Sequence, residues 1–235
     1  MPDAPQPIHL RPVATLADRV LLPGDPGRAL ALAQVVLGDD RRMFNHHRGL
    51  WGYTGTAADG EPLTIQSTGM GGPSAAIVLE ELAALGVRTA VRVGTARALA
   101  GRVALGDLVA ATAVHGADGV SRALHTPDRR PLDGAITERL TDLAAHAGLI
   151  VTTDLFYAVD GESDGTAWTA DGALAVDLET APLAAVAARH GVAFGAIVAI
   201  VADAGGGRLD EDAVAQAGEA VGVAGAQALQ PPTGG

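Results

Sequence analysis

Val20-Leu21-Leu22-Pro23-Gly24-Asp25-Pro26-Gly27-Arg28 reads as a short buried strand, a tight turn and the opening of a helix. Pro23-Gly24 stops the apolar run. Asp25 stands where an N-cap belongs, and Pro26 takes the first helical position, where its missing N–H costs nothing. The helix is expected over 26–37. A strand delivered directly into a helix is the building unit of an α/β sheet.

The same alternation continues along the chain. Residues 50–57 and 62–67 fit a hairpin around Asp59-Gly60. A glycine loop at 69–72 precedes a helix from Pro73 to Leu85 that stops at Gly86. Strands are expected at 89–93, 107–114, 149–152, 174–176 and 193–201, and helices at 135–147, 180–190 and 210–229, with 115–132 rich in loops. The Pro231–Gly235 stretch is expected to be a flexible tail. No linker interrupts the pattern, so residues 1–230 are expected to form one three-layer α/β/α sandwich with a mixed central sheet.

Composition excludes several chemistries. The 235 residues contain no cysteine, and all 16 basic residues are arginine. Thiolate nucleophiles, Cys-ligated zinc, Schiff-base lysines and the Walker A Gly-Lys pair are therefore ruled out. A net charge of −11 and 3% aromatic residues argue against a nucleic-acid binder. The first ten residues lack a basic-then-apolar leader pattern, and the apolar runs are short. A soluble cytoplasmic protein is expected.

Ligands of open α/β sheets collect beyond the carboxyl ends of strands. Four such places carry polar chemistry here. At 21–28, Gly24 lets a backbone N–H approach a ligand, and Arg28 sits in a first helical turn where a cation calls for an anion. A capped helix with a solvated arginine satisfies the same residues. At 89–95, Arg92 lies inside an apolar strand and must meet a carboxylate or an anionic ligand. Glu80 or Glu81 of the preceding helix would serve as a structural partner; Gly94 and Thr95 would serve a ligand. At 175–179 the strand Ala-Val-Asp-Leu-Glu delivers a carboxylate suited to a vicinal diol, or to a helix start. Ile200-Val201-Ala202-Asp203 ends a strongly apolar strand with an acid ahead of Gly205-Gly206-Gly207. Partial burial there would raise its pKa and make it a proton donor; a turn cap is the alternative.

Taken together these segments resemble the nucleoside phosphorylase family that includes hexameric purine nucleoside phosphorylase and uridine phosphorylase. The resemblance runs through Pro7-Ile8-His9, Leu22–Arg28, His47-Arg48-Gly49, Gly52-Tyr53-Thr54-Gly55, Ser67–Ser74, Arg92-Val93-Gly94-Thr95 and Asp154-Leu155-Phe156-Tyr157, then Glu179 and Asp203. It implies phosphate held by Gly24, Arg28, Arg48, Arg92 and Thr95. It further implies ribose contacts from His9, Met70, Leu178 and Glu179, base packing by Phe156, and protonation of a leaving purine at N7 by Asp203. Arg48 and His9 would come from a neighbouring subunit of a hexamer built from dimers. No metal or cofactor is implied, phosphate being a co-substrate.

Purine is favoured over uridine because Asp203 is an acid and the stretch 156–162 lacks the Gln and Arg that read uracil. Uridine phosphorylase and a nucleoside-binding relative without turnover are the alternatives. The sequence departs from the family pattern near the base. Arg97 replaces a glycine in Gly94-Thr95-Ala96-Arg97, Asp177-Leu178-Glu179 keeps only the second glutamate of Glu-Met-Glu, and Arg208 is the nearest arginine after the acid.

Overall fold

The computed structural model describes residues 7–99, 101–132, 134–157 and 165–230. Its strands are β1 (Arg19–Leu22), β2 (Arg42–Asn45), β3 (Gly52–Thr56), β4 (Pro62–Gln66), β5 (Thr89–Ala98), β6 (Leu108–Ala117), β7 (Arg129–Pro131), β8 (His146–Thr153), β9 (Ala173–Asp177) and β10 (Ala193–Ala202). The helices are α1 (Pro26–Val36), α2 (Gly72–Ala84), α3 (Gly119–Ala123), α4 (Ala135–Leu143), α5 (Thr166–Ala170), α6 (Thr180–His190) and α7 (Glu211–Ala228). The tail expected at 231–235 lies outside the described residues.

All these strands join one mixed sheet in the order β10-β6-β8-β9-β5-β1-β4-β3-β2, with β7 added on β6. Because β10 also pairs with β5, the strands β5, β10, β6, β8 and β9 close into a ring, while β1, β4, β3 and β2 extend from it as an open wing. Closure is what a strand-by-strand reading of the sequence does not supply.

β10 shows why its sequence lacks polar alternation: helices cover it on both faces. Ala196, Val198 and Ile200 face a core shared with α2 and α6. Ile197 and Ala199 face a second core built with α1, α4 and α7. On α7, Gly218, Gly222 and Gly225 recur at helical spacing and let the helix lie close to its neighbours. A Cβ on Gly222 would fall within 2.0 Å of Leu32, and one on Gly225 within 2.4 Å of Val93.

Several expected elements are corrected. The helix expected at 135–147 ends at Leu143, and His146 already belongs to β8, which is held between β6 and β9. The stretch 115–132 holds the end of β6, then α3 capped by Asp118, then β7. β5 does not stop before Gly94 but runs to Ala98, because β9 arrives to pair with its far end. Among the described residues no helix is long and apolar enough to cross a membrane.

Candidate active site

β5 changes partners part-way along one edge. β1 pairs with it through Arg92, and β9 takes over only at Arg97. On that edge Thr89 donates its N–H to Asp18 O and Leu99 donates to Leu174 O. Strand parity therefore turns the N–H of Thr95 to the same side, where no strand lies opposite it. The gap sits beside the turn after β1, and Thr68 N–H donates to Pro23 O across 2.8 Å to tie the glycine loop there.

Arg92, 2% exposed, organises the buried wall. Its Nε and Nη2 each lie 2.9 Å from Asp177 Oδ2, and Nη2 donates to Glu179 Oε2 at 2.6 Å. The Glu80 or Glu81 partner considered from sequence is not used. Glu80 instead meets His190, and Glu81 binds the N-terminal segment. Burial alone would depress the guanidinium pKa, but Glu179 and Asp177 outweigh it and raise the value. Gly94 makes the pose possible, since a Cβ there would lie 2.6 Å from Arg92 Nη2. Nη1 of Arg92 is buried without a hydrogen-bond partner among the described residues. An unmet cationic donor in a wall of this kind calls for an anion.

Asp177 does more than its motif suggests. Its carboxylate accepts from Thr152 Oγ1, Thr180 Oγ1 and Thr180 N–H, so it takes up the first N–H of α6 while holding Arg92. Glu179 spans from Arg92 to the glycine loop, its Oε1 accepting from Gly71 N–H at 2.7 Å. Both acids pair with one arginine.

Arg28 comes off the first turn of α1, where Asp25 Oδ1 accepts its N–H at 2.7 Å. Its side chain passes over Gly218 of α7, where a Cβ would lie 2.9 Å from Nε. Among the described residues the guanidinium makes no hydrogen bond or ion pair. Burial lowers its pKa, Asp25 opposes that, and the nearby charge of Arg92 lowers it further. Arg28 and Arg92 thus line one wall together with Asp25, Asp177 and Glu179. Gly218 was missed from sequence; the small-residue spacing along α7 is the signal that would have marked it.

These groups line a cavity of about 410 Å³. It brings together Gly24, Arg28, Arg92, Thr95, Met70, Leu178, Glu179 and Phe156 from the expected set, and adds Arg97 and Arg208. Met70 and Phe156 are exposed at its rim, and the Arg208 guanidinium carbon stands 6.0 Å from the Phe156 ring centre. Three expected residues do not line it. Asp203 is turned onto its own loop, with Oδ1 accepting from Gly205 and Gly207 N–H at 2.8 Å each. His9 pairs with Glu81, whose carboxylate also accepts the N–H groups of Ile8, His9 and Leu10. Arg48 is exposed in a left-handed backbone (φ 59°), in a turn whose Leu50 carbonyl is held by Asn45 and Gln66.

Residues 18–230 match the family model described as the Phosphorylase superfamily. The chain belongs to this superfamily. Within it, the chain resembles proteins named for nucleoside phosphorolysis. It is 36% identical over 186 residues to the purine nucleoside phosphorylase DeoD-type of Caldanaerobacter subterraneus subsp. tengcongensis, covering 75% of this chain and 79% of that one. It is 36% identical over 206 residues to the guanosine phosphorylase of Halorubrum lacusprofundi, covering 84% and 83%. In fold it resembles uridine phosphorylase from Vibrio fischeri ES114, with a TM-score of 0.82, 23% identity and 92% of both chains covered. The family expected from the motifs and its mixed α/β fold are thereby established.

Proposed function

We propose that this nucleoside phosphorylase family member cleaves purine ribo- and deoxyribonucleosides with inorganic phosphate, releasing the base and the pentose 1-phosphate. The observation that carries this reading is the pairing of Arg92 Nη1, buried and unmet, with the unpartnered guanidinium of Arg28 in one cavity. Gly24 and the free-edge amide and hydroxyl of Thr95 complete a cradle for a dianion. The purine names of similar proteins support the base class.

In this scheme a phosphate oxygen bonds to the anomeric carbon as the bond from that carbon to the base nitrogen breaks. Arg28, Arg92 and Thr95 hold the nucleophile in line, so no side-chain nucleophile, metal or cofactor is required. Glu179, fixed by Arg92 and Gly71, accepts ribose hydroxyl protons, with Met70 and Leu178 against the sugar. Phe156 packs on the base. Asp203 protonates N7 of the leaving purine, which requires its carboxylate to turn from Gly205 and Gly207 towards the cavity. Arg48 and His9, which do not line this chain's own cavity, complete that of a neighbouring subunit in a hexamer built as a trimer of dimers. Such a protein would work in cytoplasmic purine salvage.

The test is release of base from inosine, guanosine, adenosine and uridine with and without phosphate. Purine cleavage only with phosphate is expected; equal cleavage in water, or uridine as the best substrate, would overturn the reading. Asp203→Ala is expected to slow purine cleavage about 100-fold or more, the scale of general acid catalysis, with the KM for phosphate retained.

A further inference from the structure

Four cavity-lining residues form one lateral row across the sheet. Val176 of β9 pairs with Arg97 of β5, Arg97 pairs with Ala202 of β10, and Ala202 bridges to Arg208. Paired residues on adjacent strands project their side chains to the same face. The row crosses a bulge of β10 between Ile200 and Ala202, and Arg97 and Arg208 flank Ala202 in the cavity lining, with Cα atoms about 10 Å apart from two strand spacings. Both are exposed, and neither meets a carboxylate among the described residues. Arg208 is steadied over Phe156. Asp203 follows Ala202 directly, so the acid, held on its own loop, adjoins the end of the cavity that the two cations line.

We propose that Arg97 and Arg208 make this site selective for 6-oxopurine nucleosides over 6-aminopurine nucleosides, an inference that rests on the phosphorolysis reading above. Guanidinium groups only donate hydrogen bonds. The outer edge of a 6-oxopurine presents N7 and O6, two acceptors side by side. Adenine presents N7 beside an amino donor, which an arginine repels. As the glycosidic bond breaks, its electron pair passes into the base and negative charge gathers on N7 and O6. Asp203 delivers its proton to N7 while a guanidinium holds the charge on O6. Arg97, fixed to a strand paired on both edges, is the principal reader, and Arg208 is the second.

The experiment compares kcat/KM for inosine, guanosine and adenosine at saturating phosphate in the native protein, Arg97→Gln and Arg97→Lys. The native protein should favour the 6-oxo substrates by about tenfold or more, the discrimination one bidentate base contact supplies. Arg97→Gln should lose about 10- to 100-fold on inosine and guanosine yet hold or gain on adenosine, since an amide also accepts. Arg97→Lys, still donor-only, should keep part of the preference. Native cleavage of adenosine at least as fast as inosine would overturn the inference, as would an equal loss on all substrates in Arg97→Gln. Calorimetry of hypoxanthine and adenine with phosphate present supplies a reading independent of turnover. Hypoxanthine should bind at least tenfold tighter, and equal binding overturns the proposal. Failure to cleave any nucleoside would overturn the phosphorolysis reading, while base binding would still decide the role of Arg97.

Discussion

At the scale of single residues, two arginines of one cavity carry different burdens. Arg92 is the only ion-pair partner of Asp177 and Glu179 among the described residues, whereas the Arg28 guanidinium makes no ion pair or hydrogen bond to lose. Arg92→Ala should therefore cost about 3–5 kcal/mol of folding stability, because it strands two buried carboxylates. Chemical denaturation measures it; a loss below about 1 kcal/mol would show that the acids find other partners. Arg28→Gln should change stability by less than about 1 kcal/mol. It should nonetheless raise the KM for phosphate about 10- to 100-fold, the worth of a charge-assisted hydrogen bond. An arginine inside an apolar strand announces itself in sequence, and so did Arg92. Its partners were not legible, because Asp177 and Glu179 lie 85 and 87 residues away and reach it only through sheet closure.

At the scale of elements, much was legible wherever local chemistry agreed with tertiary context. The Asp25 cap and the helix at 180–190 stand as read. What was not legible depends on neighbours: glycine inside β5 reads as a stop, and the run Ala144-Ala145-His146-Ala147 leading into β8 reads as helix. The N-terminal segment is another such case. Nothing local in Pro7–Leu10 holds it down; the carboxylate of Glu81, on α2, collects three of its N–H groups and the His9 ring. Burial pushes the Glu81 pKa up, but the N–H groups of His9, Ile8 and Leu10 together pull it below the ordinary glutamate range. A folded pKa depressed in this way adds stability above the unfolded value of about 4.3 and loses it as pH falls through the lower folded value. The segment should thus detach in acid below about pH 4, seen as faster amide exchange at residues 8–10. Glu81→Gln should detach it at neutral pH at a cost of about 1–3 kcal/mol. Unchanged exchange in that variant would show another anchor.

For the whole molecule, a net charge of −11 conceals a cavity lined by Arg28, Arg92, Arg97 and Arg208. A phosphate that binds this cavity in the folded chain and not in the unfolded one should act as a stabiliser. At about 100 times its Kd it should add about 2.7 kcal/mol, which for a chain of this size raises Tm by roughly 5–10 °C. Scanning calorimetry checks this, and Arg28→Gln, binding phosphate about 10- to 100-fold more weakly, should keep only about half to a seventh of the rise at the same phosphate concentration. The gap where β1 hands the edge of β5 to β9 gives the same event a local signature. A strand buried on both faces ordinarily protects its amides for as long as the protein stays folded. Thr95, facing that gap, interrupts the protected run. Its N–H is a built-in spectroscopic probe: quick to trade its proton with water in the free protein, and slowed when an oxyanion settles against it.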